Sequence, residues 1–275
     1  MFGVKLIKVL LTPLLNYLGF RKTVGTNFGL PESHYYANNS SFKDFSSIHF
    51  HYLRSSGWIE SKNVNRPIRN GQYIPWITYG ALNFLESINL SELNVVEIGS
   101  GASTFYFYQK VRNLISYEFD SEYLSIVKSL LGKGISFKSL SDHEYLASKD
   151  CLLDENYLEI LKYEISKGNF QQEWLSNRNV EAFTNELKND ISGSDLLFID
   201  GGPRLFASKI ASLYSKEDCL IILDNTETKY GNLCLSTFKE SGYLQIPFRG
   251  LGPLNPNETE TSILFKNLDA LKNKF

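Results

Sequence analysis

Short apolar runs that end at glycines or acidic residues alternate with segments of helical periodicity along most of the chain. The run at 94–98 has the β-branched bias that is typical of a strand buried on both faces. It breaks at Gly99-Ser100-Gly101, and apolar side chains then recur at helical spacing from Phe105 to Val111. The pattern predicts a strand, a glycine turn and a helix.

The same alternation continues to residue 265 and predicts further strands and helices. Strands are expected at 114–117, 135–139, 195–200, 219–223, 243–248 and 261–265. Helices are expected within 71–90, starting at Pro75, and at 121–132, 152–166, 180–191, 205–215 and 230–240. In the helix at 121–132, the side chains expected to face the core are Tyr123, Ile126, Val127 and Leu130.

The last two predicted strands have no helix between them, which indicates an antiparallel hairpin at the edge of the sheet. The fold class is therefore α/β. We expect a Rossmann-like doubly wound sheet of seven strands, with an antiparallel terminal hairpin and helices on both faces.

Changes in composition divide the chain near residue 70. Residues 1–70 are expected to form an N-terminal helix and a wrapping extension, and residues 71–275 to form the main domain. Within it, the segment 143–194 is longer than an ordinary crossover, which indicates a lid-like or substrate-recognition insertion, with an inert decoration or a dimer contact as the alternative. Residues 1–20 are apolar, but Pro13 and Asn16 interrupt the run, so we expect a docked accessory helix, with membrane-surface attachment as the alternative.

The overall charge and the cysteines narrow the classes of function. The chain of 275 residues has a net charge of −2 and a pI near 6.1, which argues against a nucleic-acid binder held by a broad basic surface. Its three cysteines show neither a zinc spacing nor a disulfide framework. A reducing, cytoplasmic location is therefore expected.

Acidic residues flank the glycine turn on both sides. Strand, glycine turn and helix together bring backbone N–H groups against a small polar ligand, and a Cβ at either glycine would hold that ligand away. Glu97 precedes Gly99 by two residues, where a pyrophosphate would gain nothing, and Thr104 takes the place of the third glycine of a dinucleotide fingerprint. Glu118 ends the next strand and is placed to accept ribose hydroxyls. The pattern favours a cationic, ribose-bearing ligand without phosphates, and S-adenosylmethionine is such a ligand.

Four motifs carry a resemblance to a known superfamily. The runs VVEIGSG (95–101), YEFD (117–120), DLLFIDGGPR (195–204) and CLIILDNTE (219–227) resemble those of class I S-adenosylmethionine-dependent methyltransferases, over roughly residues 70–266. The resemblance implies S-adenosylmethionine as the cofactor. The residues that it and the turn pattern assign to the cofactor are Glu97, Gly99, Ser100, Gly101, Ser103, Glu118, Phe119, Asp142, Thr78 and Tyr79.

Polar residues that follow two neighbouring strands suggest a metal site. Asp200, Asp224 and Asn225 offer hard oxygen ligands at the carboxyl edge of the sheet, and the trio resembles the metal ligands of catechol-type O-methyltransferases. Mg²⁺ or another divalent cation would then activate a substrate hydroxyl. The alternative is that Asp200 bonds the cofactor or water while Asp224 and Asn225 form a turn or cap a helix.

The general base is left open by the sequence. Where the catechol-type enzymes carry a lysine, this chain has Arg204, which is too basic to accept a proton at neutral pH and is a candidate clamp for an acidic group of the substrate. Asp200, His143 and metal activation alone are the candidates for the base.

These features favour methyl transfer to a hydroxyl of a small molecule or a sugar. A nicotinamide-dependent oxidoreductase and a non-catalytic binding protein with the cofactor fold are the alternatives. Nucleic acid is a disfavoured partner, and association into a homodimer stays open.

Overall fold

The computed structural model describes residues 42–131, 136–138, 155–168, 179–272 and 274. The chain divides into two compact units, Met1–Arg54 and Ser55–Phe275. Of the first unit the description covers only the helical residues 42–54, so the predictions made for residues 1–20 lie outside it. Along the part of the chain that is described, no helix combines the length and apolarity needed to cross a membrane.

The helices are α1 Phe42–Ser55, α2 Trp58–Val64, α3 Tyr79–Glu86, α4 Ala102–Tyr108, α5 Ser121–Leu130, α6 Glu155–Ser166, α7 Asn179–Gly193, α8 Arg204–Tyr214, α9 Lys229–Glu240 and α10 Asp269–Lys272. The strands are β1 Ile68–Arg69, β2 Gln72–Tyr73, β3 Asn94–Ile98, β4 Asn113–Tyr117, β5 Ser136–Lys138, β6 Leu196–Ile199, β7 Leu220–Asp224, β8 Leu244–Gly250 and β9 Thr259–Phe265.

Seven strands form one mixed sheet in the order β5-β4-β3-β6-β7-β9-β8, and β1 and β2 form a separate hairpin. The first five strands of the order are parallel, whereas β9 runs antiparallel to both β7 and β8. Strands β6 and β7 are buried along their whole length, as their uninterrupted apolar runs require of central strands. Apolar clusters cover both faces of the sheet. The predicted doubly wound fold with its terminal hairpin is confirmed.

The predicted inward face of the helix α5 is wrong at three of four positions. Val127 is buried as expected, but Tyr123, Ile126 and Leu130 are 40%, 55% and 64% exposed. The buried stripe is instead made by Leu124, Val127 and Leu131. Two apolar stripes on one short helix satisfy the same periodicity, so the sequence could not tell which of them faces the sheet.

The second half of the predicted insertion is a crossover helix. In α7, which leads into β6, Phe183, Leu187 and Ile191 are fully buried in the core. The helix α6 is also anchored, because its Glu164 is fully buried and accepts the backbone N–H groups of Leu205 and Phe206 at 2.8 and 3.1 Å. Segments 143–154 and 169–178, on which a lid would depend, lie outside the described residues.

Candidate functional site

A cavity of about 540 Å³ opens at the carboxyl ends of β3, β4 and β6. Its wall includes the glycine turn 99–103, Glu118 at the end of β4, and the turn 200–202 after β6. The exposed apolar side chains of α5 form a further part of this wall, which explains why that stripe does not face the core. The cavity lies where parallel α/β sheets place their ligands.

The two glycines of the turn after β3 have different roles. Gly99 has a φ of +93°, and a Cβ there would lie 2.5 Å from the Cα of Gly201 in the turn after β6. Gly101 has extended backbone, and a Cβ there would meet its nearest neighbour, the Tyr123 hydroxyl, only at 3.8 Å. Both Gly101 and Tyr123 line the cavity. Gly99 is therefore needed for packing between two turns, whereas Gly101 keeps the cavity open.

The backbone N–H groups of the turn point into the protein. The N–H of Gly99 donates to the Tyr117 carbonyl at 2.8 Å, that of Ser100 to Glu118 Oε2 at 2.9 Å, and that of Gly101 to Thr104 Oγ1 at 2.8 Å. The expectation that these groups face a ligand is corrected, because each already has an acceptor inside the chain. These three N–H groups are consequently not available as the donors with which a phosphate-binding loop holds its anion.

Glu118 is bound by the backbone on both oxygens. Oε1 accepts the N–H groups of Phe119 and Asp120 at 2.7 and 3.0 Å, and Oε2 accepts that of Ser100. Burial raises the pKa of Glu118, and these three backbone hydrogen bonds lower it. A carboxylate has about four acceptor sites, so Oε2 can still take one hydroxyl without any rearrangement.

Glu97 is fully buried beneath the glycine turn. Its Oε2 accepts the hydroxyls of Thr104 and Ser116 at 2.6 and 2.5 Å, whereas Oε1 has no hydrogen-bond partner within the described chain. Burial raises the pKa of Glu97 to about 7, and these hydroxyls lower it. An incompletely bonded carboxylate at this depth favours a positive charge nearby.

Ser100 and Ser116 connect the two acids, and sequence reasoning missed Ser116. The two hydroxyl oxygens are 2.8 Å apart, so Glu97 is linked to Ser100, whose N–H binds Glu118. Ser116 lies beside Glu97 in the parallel register of β3 and β4. The signal in the sequence was a serine directly after the apolar pair Leu114 and Ile115 of β4.

Asp200 and Asp224 form a pair beside the cavity, of which Asp200 lines the wall. Burial and the charge of Asp224 raise the pKa of Asp200 well above its ordinary value, although Arg204 opposes the shift. Burial raises the pKa of Asp224 to about 6, while the Thr261 hydroxyl, which donates to its Oδ1, lowers it. Burial is the largest cause of both shifts, so each carboxylate binds a proton more readily than an exposed one.

The predicted metal trio does not fit a metal ion. Arg204 donates to the amide oxygen of Asn225 at 2.8 Å and to the Asp224 carbonyl at 3.1 Å, so a guanidinium takes the place expected for a cation. Asn225 has a φ of 58°, which matches the alternative that Asp224 and Asn225 form a turn. Within the described ranges, no three His, Cys, Asp or Glu side chains are grouped to hold a metal. Both bonds use Nη1 of Arg204, so the guanidinium is held at the turn after β7.

The structure places the remaining candidates as follows. Thr78 is 1% exposed and donates to the Phe248 carbonyl at 3.0 Å, and neither Thr78 nor Tyr79 lines the cavity. Phe119 packs against Gly202, because a Cβ added to Gly202 would lie 2.4 Å from the Phe119 ring. Ser103 and Trp76 line the cavity, as does Arg66, which was not a predicted site residue. Asp142 and His143 lie outside the described residues.

No protein-family model and no curated protein matches this sequence. Among solved structures, a precorrin-6Y C5,15-methyltransferase from Geobacter metallireducens GS-15 is 12% identical, with a TM-score of 0.41, over 71% of this chain and 93% of that one. A methyltransferase from Pyrococcus furiosus is 13% identical, with a TM-score of 0.38, over 81% of this chain and 100% of that one. An O-methyltransferase from Bacillus cereus in complex with SAH is 12% identical, with a TM-score of 0.37, over 67% of this chain and 76% of that one.

The sheet itself decides the fold class. Its antiparallel final hairpin matches the fold expected from the sequence and differs from a purely parallel sheet. The resemblance stated from the motifs therefore holds at the level of the fold.

Proposed function

We propose that this protein is an S-adenosylmethionine-dependent methyltransferase that methylates a hydroxyl of a small molecule or a sugar. The observation that carries the proposal is the inward bonding of the N–H groups of Gly99, Ser100 and Gly101, beneath a cavity that contains the carboxylate of Glu118. Such a site offers acceptors and negative charge, which suit a cationic nucleoside without phosphates. The same observation counts against a nicotinamide dinucleotide.

The residues that would hold the cofactor are those of the cavity floor. Glu118 would accept a ribose hydroxyl, the open face of Gly101 would allow close approach, and the charge of Glu97 would stabilise the positive charge of the ligand. When bound, S-adenosylmethionine supplies a methyl group that its sulfonium already activates for displacement. The protein must then align the acceptor and exclude water.

Asp200 is the proposed general base. It lines the cavity, and burial raises its pKa, which makes its ionised carboxylate a stronger base. As the hydroxyl oxygen takes up the methyl group, its proton passes to Asp200. Arg204 supports this part of the site by holding Asn225 after β7. No metal enters the proposal.

The test is calorimetric titration of the full chain with S-adenosylhomocysteine, comparing wild type with Gly101→Ala. Because Gly101 has extended backbone and open space, the variant is expected to fold normally, while its methyl group narrows the cavity floor. We expect the wild type to bind and the variant to lose at least about tenfold in affinity, or about 1.4 kcal/mol.

Gly193→Ala is the matched control, because a Cβ there meets nothing within 4 Å and Gly193 is remote from the cavity. A parallel titration with NAD tests the oxidoreductase alternative. Absence of S-adenosylhomocysteine binding, or binding of NAD in its place, would refute the proposal. Methyl transfer to hydroxyl acceptors in a substrate screen would distinguish an enzyme from a binding protein.

A further inference from the structure

We infer that Ser116 is a positioning residue: it orients the hydroxyl of Ser100 so that Ser100 presents only acceptors to the cavity and favours the protonated amine of the cofactor's amino-acid part. The inference rests on the proposed function and deepens it. It concerns a residue that is fully buried and does not itself line the cavity.

The direction of the hydrogen bonds follows from counting protons. An ionised Glu97 can only accept, so the contact of 2.5 Å between Ser116 Oγ and Glu97 Oε2 uses the one proton of the Ser116 hydroxyl. The contact of 2.8 Å between Ser116 and Ser100 must therefore be donated by Ser100. With its proton directed inward, Ser100 turns only lone pairs towards the cavity that it lines.

Thr104 fixes the other side of the turn by the same logic. Its hydroxyl accepts the N–H of Gly101 at 2.8 Å and donates to Glu97 Oε2 at 2.6 Å. The N–H of Ser100 is bound by Glu118. The N–H groups of Ser100 and Gly101 are therefore both bound inside the chain, and the Ser100 hydroxyl and the Glu118 carboxylate offer acceptors, which match an ammonium group better than a carboxylate or a phosphate.

Glu97 gives this arrangement its charge. Its Oε1 lacks a partner among the described residues, and the side chain faces other acidic or titratable groups, namely Glu118, Asp200 and Tyr123. The hydroxyls of Ser103, Ser116 and Thr104 lower its pKa, and Ser103 also lines the cavity. A positive charge on the ligand therefore stabilises the ionised form of Glu97, and affinity should rise as Glu97 loses its proton.

Removal of the Ser116 hydroxyl should weaken the binding of S-adenosylhomocysteine more than the binding of 5′-methylthioadenosine. Ser116→Ala deprives Glu97 of a donor, raises its pKa and frees the Ser100 proton to turn towards the cavity. S-adenosylhomocysteine carries the amino-acid part, whereas 5′-methylthioadenosine lacks it. We expect the variant to lose about tenfold in affinity for S-adenosylhomocysteine and less than about threefold for 5′-methylthioadenosine.

The experiment measures calorimetric affinity of the full chain for both nucleosides across about two pH units on each side of neutrality. The pH at which binding of S-adenosylhomocysteine reaches half its maximum should move upward in Ser116→Ala and also in Thr104→Val. Ser116→Cys, close in size and a weaker donor, should fall between wild type and alanine, and it serves as the deciding variant if the alanine protein does not fold.

Ser262→Ala is the matched control, since Ser262 is equally buried, bonds Thr226 and Gln245, and lies outside the cavity wall. Equal losses for the two nucleosides, or no loss in either, would overturn the inference while leaving the proposed function intact. Failure of the wild type to bind either nucleoside would overturn both.

Discussion

Gly99 and Gly201 meet backbone to backbone, so that a Cβ on Gly99 would lie 2.5 Å from the Cα of Gly201 and a Cβ on Gly201 would lie 2.9 Å from the Cα of Gly99. The N–H groups of Asp200 and Gly201 both donate to the Ile98 carbonyl, at 3.0 and 2.9 Å. The turns after β3 and β6 are thereby fixed to each other, and both line the cavity.

Gly99→Ala is expected to destabilise the protein by more than its backbone strain alone. The φ of +93° is unfavourable for alanine by about 1 kcal/mol, and the collision with Gly201 adds to it because two backbones must separate. Gly242→Ala separates the two effects, since Gly242 has a φ of +81° and nothing within 4 Å of an added Cβ. Urea unfolding should show a loss at least about twice as large for Gly99→Ala. Equal losses would show that the contact with Gly201 is unimportant.

Glu97→Gln is expected to stabilise the protein above neutral pH and to weaken the binding of S-adenosylhomocysteine. Burial raises the pKa of Glu97 from 4.5 to about 7, so the native protein holds a proton that the unfolded chain releases. Wild-type stability should therefore fall as the pH rises from about 4.5 to about 7, by up to about 3 kcal/mol, and then level off. Thermal unfolding measured against pH should lose this decline in the variant. A decline of the same size in both proteins would assign it to another group.

Glu164→Ala is expected to destabilise the start of α8 by about 2–4 kcal/mol. The carboxylate accepts two backbone N–H groups of that helix and the Tyr230 hydroxyl at 2.6 and 2.7 Å, all at a fully buried position. Glu159→Ala on the exposed side of the same helix is the control and should change the free energy of unfolding by less than about 0.5 kcal/mol. Similar effects of the two substitutions on urea unfolding would contradict this anchoring role.

Millimolar Mg²⁺ is expected to leave the unfolding temperature and the affinity for S-adenosylhomocysteine unchanged, relative to NaCl of equal ionic strength. A specific metal site would stabilise the native state by mass action, but here Arg204 binds Asn225 and the Asp224 carbonyl. Differential scanning calorimetry with and without the ion measures this. A stabilisation by Mg²⁺ that is lost in Asp224→Asn would contradict this prediction and support a metal site.

The sequence alone determined the layers of the fold. Strands β6 and β7 are unbroken apolar runs, and a run of that kind can only be stable between two covered faces. The two final strands without a helix between them required an antiparallel pair. The glycine turn and the acids Glu97 and Glu118 were also evident, because a carboxyl end of a strand is where such residues meet a ligand.

The tertiary structure decided what those residues do. Gly99 contacts Gly201, Ser116 bonds Glu97, and Arg204 binds Asn225, and each pair joins different segments of the chain. The inward direction of the turn's N–H groups and the choice of the buried stripe on α5 likewise depend on which neighbour is present. The periodicity of the sequence shows only that a helix has an apolar stripe, and a motif shows only which chemical groups are present. Packing decides which partner each of them meets, because the free energy of a buried polar group depends on the atoms that surround it.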